Sequence, residues 1–129
     1  MSTIKAEIER SMTGFEKEGK RLKSCFAFPA GFIGFQGHFP QKKILPGVCQ
    51  IQCALTLLEK GSEKAVFLKE VVLAKYFTPV LPDDEVTCVI SDMGDACGEV
   101  VVKAAISRAS EKIAEMKLRV SYDNGKNKR

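Results

Sequence analysis

The segment that decides the fold is Gly47–Lys60, with the sequence GVCQIQCALTLLEK. Pro46 and Gly47 suit the start of a helix, and Gly61 supplies a C-terminal stop. Apolar side chains occupy most of the circumference of the predicted helix, at Val48, Ile51, Ala54, Leu55, Leu57 and Leu58. A helix of this kind is buried on most of its sides. The rest of the chain therefore has to wrap around it.

Four segments after this helix have the composition of β-strands, because they are rich in Val, Ile, Phe and Thr. Turn residues separate them, and they span residues 65–77, 85–93, 99–109 and 112–122. Before the helix, Arg21–Phe28 alternates with a period of two, which predicts a half-buried strand. Residues 3–12 are also interpreted as a strand, although a short amphipathic helix fits nearly as well. This order of elements predicts the α+β class, with an antiparallel sheet curled around the helix.

Length and charge limit the kind of protein. The 129 residues, 45% of them hydrophobic, fit one compact domain and are too few for two. The formal net charge is +4, but residues 124–129 carry three positive charges, so residues 1–123 carry only +1. A nearly neutral body argues against nucleic-acid binding. We therefore expect one domain over residues 1–123, followed by a flexible basic tail over residues 124–129.

The sequence also indicates where the protein is found. Residues 1–10 lack the apolar core of a signal peptide, and no later stretch approaches the ~20 apolar residues of a membrane span. The five cysteines include no C-x-x-C pair, which fits reduced thiols better than disulfides or a metal site. We therefore expect a cytoplasmic, soluble protein without a metal and without membrane contact.

Residues 29–46 form an irregular segment, because prolines and glycines interrupt it throughout. It contains Gly37-His-Phe-Pro40, followed by Ile44-Leu-Pro-Gly-Val48 at the start of the helix. These motifs resemble the signature of the 3-hydroxyacyl-ACP dehydratases of fatty-acid synthesis. Downstream, Lys75-Tyr-Phe-Thr-Pro-Val-Leu-Pro-Asp-Asp84 is similar to the family's Lys-Phe-x-x-Pro-Val-x-Pro-Gly-Asp strand.

The resemblance implies a single-domain hotdog fold, in which an antiparallel sheet wraps a long central helix and two protomers pair their sheets edge to edge. It also implies a reaction, the removal of water from a (3R)-3-hydroxyacyl thioester. The phosphopantetheine of acyl carrier protein, or coenzyme A, carries that substrate, and no other cofactor is implied. The implied partners are acyl carrier protein and a second copy of the chain, in a homodimer or a higher oligomer of dimers.

The resemblance assigns catalytic roles to individual residues. His38 matches the base that takes a proton from C2, and an unperturbed histidine pKa of about 6.5 suits that role. The N–H groups around Gly47 and Val48 are suitable donors to the thioester oxygen, backed by the helix dipole. Gln52 matches the position of the acid that protonates the leaving hydroxide across the dimer. An amide has no proton to release near neutral pH, so Gln52 cannot act as that acid.

The resemblance also implies a substrate tunnel and a docking site. Five apolar residues would line the acyl tunnel, and each suits an ordinary core equally well: Phe35, Phe39, Ile44, Leu45 and Cys49. Lys42 and Lys43 stand beside the mouth of the tunnel and can meet an acidic carrier protein. Thr56 and Glu59 share a helix stripe with Gln52 and are interpreted as structural.

Four functions remain open at this point. The first is a dehydratase that acts despite Gln52, with water, a thiol or a hydroxyl in the role of the acid. The second is one subunit of a heterodimer, in which a related partner presents the missing carboxylate. The third is a non-catalytic hotdog protein that binds acyl thioesters. The fourth is a thioesterase, but those enzymes usually need a helix carboxylate, so Gln52 is a handicap there too.

Overall fold

The computed structural model describes residues 3–35, 44–91 and 98–123. In chain order these residues form α1 (Thr3–Arg10), β1 (Met12–Glu18), β2 (Arg21–Ala27), a 3₁₀ turn (Ile33–Phe35), α2 (Gly47–Ser62), β3 (Ala65–Tyr76), β4 (Glu85–Ser91), β5 (Glu99–Arg108) and β6 (Glu111–Asp123). The strands form one antiparallel sheet in the order β1-β2-β4-β5-β6-β3. The predicted strands from residue 21 onward are thus confirmed. For the segment 85–93, this holds as far as residue 91, where the described part ends. The predicted tail lies outside the described residues.

The N-terminal segment differs from the prediction. The strand over residues 3–12 is wrong, because α1 occupies Thr3–Arg10. Ile4 and Ile8 are four residues apart, so a helix places both on one face. Ile8 is fully buried, Ile4 packs against the core, and α1 contacts α2. The same apolar residues also alternate with charged ones, so the pattern alone fits a strand as well. Contact with α2 decides in favour of the helix.

β1 is a strand that the sequence pattern did not indicate. Its only half-buried residues are Met12 and Phe15, and the rest of the strand is exposed. The pairing with β2 shifts register between Thr13 and Glu16. A β-bulge of this kind breaks the alternation of apolar and polar residues that reveals a strand.

α2 packs between the sheet and α1. The helix predicted over residues 47–60 is present and extends to Ser62. Its middle is a run of buried side chains, from Cys53 through Ala54, Leu55, Thr56 and Leu57 to Leu58. It contacts α1 and the strands β2, β3 and β4. Among the described residues, neither helix is long and apolar enough to cross a membrane.

The end of α2 also differs from the prediction. Gly61 does not stop the helix, which ends at Ser62 with Glu63 in the left-handed conformation at φ 59°. Gly61 is instead buried in the last turn against Leu22 of β2. A Cβ atom at Gly61 would lie 2.5 Å from Cδ2 and 2.6 Å from Cδ1 of Leu22. The glycine therefore permits the close approach of α2 to the sheet.

β3 lies at one edge of the sheet, since in the described part of the chain it pairs with β6 alone. It carries large apolar side chains that are exposed, namely Phe67, Leu68, Val71 and Val72. We call this surface the β3 edge. Long apolar edge strands pair readily with another chain, so such a surface is typical of an interface.

Replacing Gly61 tests the packing of α2 on β2. The Gly61→Ala variant should lose about 1–3 kcal/mol of unfolding free energy, because its methyl group displaces Leu22 or the helix. Gly31→Ala is the matched control, because nothing lies within 4 Å of a Cβ at that position. Urea unfolding followed by circular dichroism measures both variants. Equal midpoints for Gly61→Ala and the unmodified protein would contradict the described packing.

Candidate functional site

A pocket of about 440 Å³ opens at the N-terminal end of α2. Its walls come from the segment before α2, the first turn of α2, the end of β3 and the segment after β3. The described residues that line it are Ile44, Leu45, Pro46, Gly47, Gln50, Tyr76, Phe77, Thr78 and Pro79. A mainly apolar wall with a few polar groups is typical of sites for small molecules.

Three contacts hold the walls of the pocket together. The Leu45 N–H donates to the Val80 carbonyl at 2.9 Å, which joins the segment before α2 to the segment after β3. Arg108 at the end of β5 donates to the Pro79 carbonyl at 3.3 Å and forms an ion pair with Asp84. The wall formed by residues 78–80 is therefore tied both to the start of α2 and to the sheet.

The start of α2 presents hydrogen-bond donors. Pro46 is the N-cap, and its carbonyl accepts the N–H groups of Cys49 at 3.0 Å and Gln50 at 3.2 Å. The N–H groups of Gly47 and Val48 have no hydrogen-bond partner among the described residues. Gly47 lines the pocket, whereas the Val48 side chain is 73% exposed. These free N–H groups form the positive end of the helix dipole and can stabilise a negatively charged oxygen.

Gln50 carries a buried polar atom that no described residue pairs with. The residue is 4% exposed, and its Nε2 donates to the Leu45 carbonyl over 3.5 Å. Its Oε1 is buried and has no hydrogen-bond partner within the described part of the chain. An orphaned acceptor costs about 1–3 kcal/mol, so its place in a pocket wall calls for a functional explanation. In the sequence, Gln50 could have been noticed only as a polar residue on the helix stripe that it shares with the apolar residues Ala54 and Leu57.

Gln52 lies on another side of α2. Its side chain is half-buried, and its Nε2 donates to Thr56 Oγ1 at 3.1 Å. Gln50 and Gln52 are separated by about 200° around the helix axis, so they project in nearly opposite directions. The described pocket lining includes Gln50 and excludes Gln52. Gln52 is thus not placed at this pocket by the described residues, and its position across a dimer interface stays a prediction.

The structure brings together three of the other predicted site residues, Ile44, Leu45 and Gly47. Phe35 and Cys49 belong to the buried core and are not among the described residues that line the pocket. Four further predicted residues lie outside the described residues, namely His38, Phe39, Lys42 and Lys43. Their roles stay predictions.

Tyr76 also lines the pocket, although no sequence motif predicted a role for it. A Cβ atom at Gly47 would lie 2.7 Å from Tyr76 Oη, so the phenol lies across the start of α2. Partial burial raises the pKa of Tyr76 above its ordinary value. The phenol therefore keeps its proton at neutral pH.

The buried thiols are unsuited to nucleophilic chemistry. Burial raises the pKa of Cys49 and Cys53, and it raises the pKa of Cys88 to about 12. Such thiols stay protonated at neutral pH, and the thiolate is the reactive form. Within residues 3–35, 44–91 and 98–123, no cluster of His, Cys, Asp and Glu is arranged to hold a metal ion.

Two comparisons concern the sequence. The family model described as ApeI-like, ApeI dehydratase, matches residues 15–117 of this chain. The 3-hydroxyacyl-[acyl-carrier-protein] dehydratase FabZ from Bartonella quintana (strain Toulouse) is 37% identical over 59 residues. That match spans 40% of this chain and only 38% of the Bartonella protein.

Solved structures share the arrangement of helices and strands. The dehydratase heterocomplex ApeI:P from Xenorhabdus doucetiae has a TM-score of 0.73 at 16% identity, covering 85% of this chain and 96% of that chain. The E. coli PaaI protein from the phenylacetic acid degradation operon has a TM-score of 0.69 at 12% identity, covering 91% and 86%. The putative thioesterase yhdA from Lactococcus lactis has a TM-score of 0.69 at 14% identity, covering 95% and 98%. These likenesses concern the fold alone, and they confirm the predicted hotdog fold.

Removing the orphaned atom should stabilise the protein. The Gln50→Met variant should gain about 1 kcal/mol of unfolding free energy, because it removes a buried acceptor without a described partner at nearly constant side-chain volume. It loses only the long 3.5 Å hydrogen bond to the Leu45 carbonyl. Gln52→Met is the matched control and should show no gain, since it removes an amide that is hydrogen-bonded to Thr56. Urea unfolding compares the two variants. A clear loss of stability in Gln50→Met would mean that Oε1 has a partner in the folded protein.

Proposed function

We propose that this chain, which belongs to the ApeI-like dehydratase family, removes water from a (3R)-3-hydroxyacyl thioester. The pocket at the start of α2 carries the proposal, because it combines an apolar wall with Gly47. The N–H groups of Gly47 and of the adjacent Val48 have no hydrogen-bond partner among the described residues. Negative charge develops on the thioester oxygen when C2 loses its proton. Donors fixed at the end of a helix stabilise that charge without rearrangement.

His38 acts as the base in this proposal. It takes the C2 proton, the C2–H electrons form the new double bond, and the hydroxyl group leaves from C3. Ile44 and Leu45 contact the acyl group on the apolar side of the pocket. Because Gln52 cannot release a proton, another group has to protonate the leaving hydroxide.

The proposed carrier is the phosphopantetheine arm of acyl carrier protein or of coenzyme A. The Bartonella relative is a 3-hydroxyacyl-[acyl-carrier-protein] dehydratase by name, which supports that partner. Lys42 and Lys43 are the proposed docking residues. Proton transfer and hydrogen bonding account for the reaction, so the proposal includes no metal and no other cofactor.

The β3 edge is proposed to pair with a second hotdog chain. Its apolar side chains are exposed, and Gln52 is not among the described residues that line the pocket of its own chain. A second copy of this chain is the first candidate. A related subunit that supplies a carboxylate is the second, and it is supported by the Xenorhabdus structure, which is a heterocomplex. Activity that appears only on co-expression with a related subunit would favour this second candidate.

The His38→Ala variant tests the base. Hydration of a crotonyl thioester, or dehydration of a 3-hydroxybutyryl thioester, should fall by at least about 10²-fold, because a positioned base is lost. The rate is measured from the fall in enoyl absorbance during hydration, or from its rise during dehydration. This is the chain's only histidine, so no second imidazole substitutes for it. Unchanged activity in the variant would contradict the proposed reaction.

A charge on β3 tests the proposed pairing. The Val72→Lys variant should be a monomer, because a lysine on an edge strand opposes pairing with another chain. Val101→Lys on the inner strand β5 is the matched control, since the two valines are similarly exposed, at 42% and 38%. Size-exclusion chromatography with light scattering gives the masses. A dimer for Val72→Lys, or a monomer for the unmodified protein, would count against pairing of two copies through β3.

A further inference from the structure

The Tyr76 hydroxyl lies beside the helix donors of the proposed site. A Cβ atom at Gly47 would lie 2.7 Å from Tyr76 Oη and 2.8 Å from Cζ, so only a glycine leaves room for the phenol there. Both residues line the same pocket. The hydroxyl therefore sits next to the N–H groups that are proposed to hold the thioester oxygen.

The hydroxyl is available to a ligand. Tyr76 is 47% exposed, and its hydroxyl has no hydrogen-bond partner among the described residues. The chain's other tyrosine differs in both respects, because Tyr122 is only 8% exposed and has interactions within the fold. A free phenol in a pocket wall can donate a hydrogen bond to a substrate.

Tyr76 stands in reach of the leaving group. In a 3-hydroxyacyl thioester, C3 is two bonds from the thioester carbon, so a donor beside the thioester oxygen also reaches the 3-hydroxyl. A phenol can transfer its proton to a leaving hydroxide, which is far more basic, whereas the amide of Gln52 cannot. The strand pattern quoted above has phenylalanine where this chain has Tyr76. A hydroxyl is therefore present at residue 76 in the chain that lacks a carboxyl group at residue 52.

We propose that Tyr76 is the proton donor to the leaving hydroxide and takes the role that Gln52 cannot fill. The inference rests on the proposed function and adds a catalytic residue to it. As the C3–O bond breaks, its electron pair goes to oxygen, which takes the phenolic proton and departs as water. His38 meanwhile holds the proton from C2. Transfer of that proton through solvent to the Tyr76 phenolate restores both groups.

The Tyr76→Phe variant is the direct test. It removes one oxygen, and kcat for a crotonyl or 3-hydroxybutyryl thioester should fall by about 10²–10⁴-fold with a much smaller change in KM. For dehydration of the 3-hydroxybutyryl thioester, the proposal predicts a decline of kcat at alkaline pH as the phenol ionises, and this decline should be absent in the variant. Tyr122→Phe is the matched control and should keep both kcat and the alkaline decline. A Tyr76→Phe variant with the kcat and pH profile of the unmodified protein would overturn the assignment.

Restoring a carboxyl group at residue 52 is the second arm. If Tyr76 already donates the proton, Gln52→Glu should raise kcat by less than about tenfold. A gain of about 10²-fold or more would show that the unmodified protein lacks a working donor, and it would overturn the role of Tyr76. These outcomes leave the dehydratase function intact. Complete inactivity of the unmodified protein would instead reject the proposed function, and the donor role with it.

Binding to Tyr76 can be observed directly in the Tyr122→Phe variant. The chain contains two tyrosines and no tryptophan, so Tyr76 is then the only source of tyrosine fluorescence. The probe is an amide analogue of 3-hydroxybutyryl-pantetheine, in which nitrogen replaces the thioester sulfur. A saturable change in fluorescence is expected as the probe fills the pocket. No change at concentrations that competitively inhibit the reaction would exclude contact between Tyr76 and the substrate.

Discussion

Burial of the middle of α2 is the constraint from which the rest of the structure follows. The run Cys53–Leu58 is buried without interruption, including the polar Thr56. A helix that is covered on every side can interact with a ligand only through its ends and the turns next to them. At the first turn, Gly47 lines the pocket, and the N–H groups of Gly47 and Val48 have no hydrogen-bond partner in the described part of the chain. Covering the helix thus determines where the proposed chemistry takes place.

Two features that are unfavourable for stability, a buried polar atom and a row of exposed apolar side chains, occur near the pocket at the start of α2. Gln50 lies in the pocket wall, and its Oε1 has no partner among the residues that the structure describes. The exposed apolar residues of β3 precede Tyr76, which lines the same pocket. Natural proteins tolerate such features where binding or association compensates for them. A substrate and a second chain are the two compensating partners that the proposal supplies.

Most of the secondary structure could be predicted from the sequence, because the strands alternate or are rich in β-branched residues and α2 has a helical apolar pattern. The segment 3–12 was ambiguous, since Ile4 and Ile8 fit both periods and contact with α2 decides between them. Of the pocket lining, the resemblance to the family indicated Ile44, Leu45 and Gly47, but not Gln50 or Tyr76. The unpaired state of Gln50 depends on packing, and the proximity of Tyr76 to Gly47 depends on how the end of β3 meets α2. The spacing of residues in the sequence predicts neither the packing around Gln50 nor the meeting of β3 with α2.

The central claim is that the thioester oxygen binds at the start of α2. Titration of the ¹⁵N-labelled protein with the pantetheine amide analogue, followed by amide NMR shifts, tests this claim most directly. The account predicts large downfield shifts of the Gly47 and Val48 amide protons, because each gains an acceptor. Unchanged Gly47 and Val48 signals, with shifts instead on the exposed face of the sheet around Lys103 and Lys117, would contradict it.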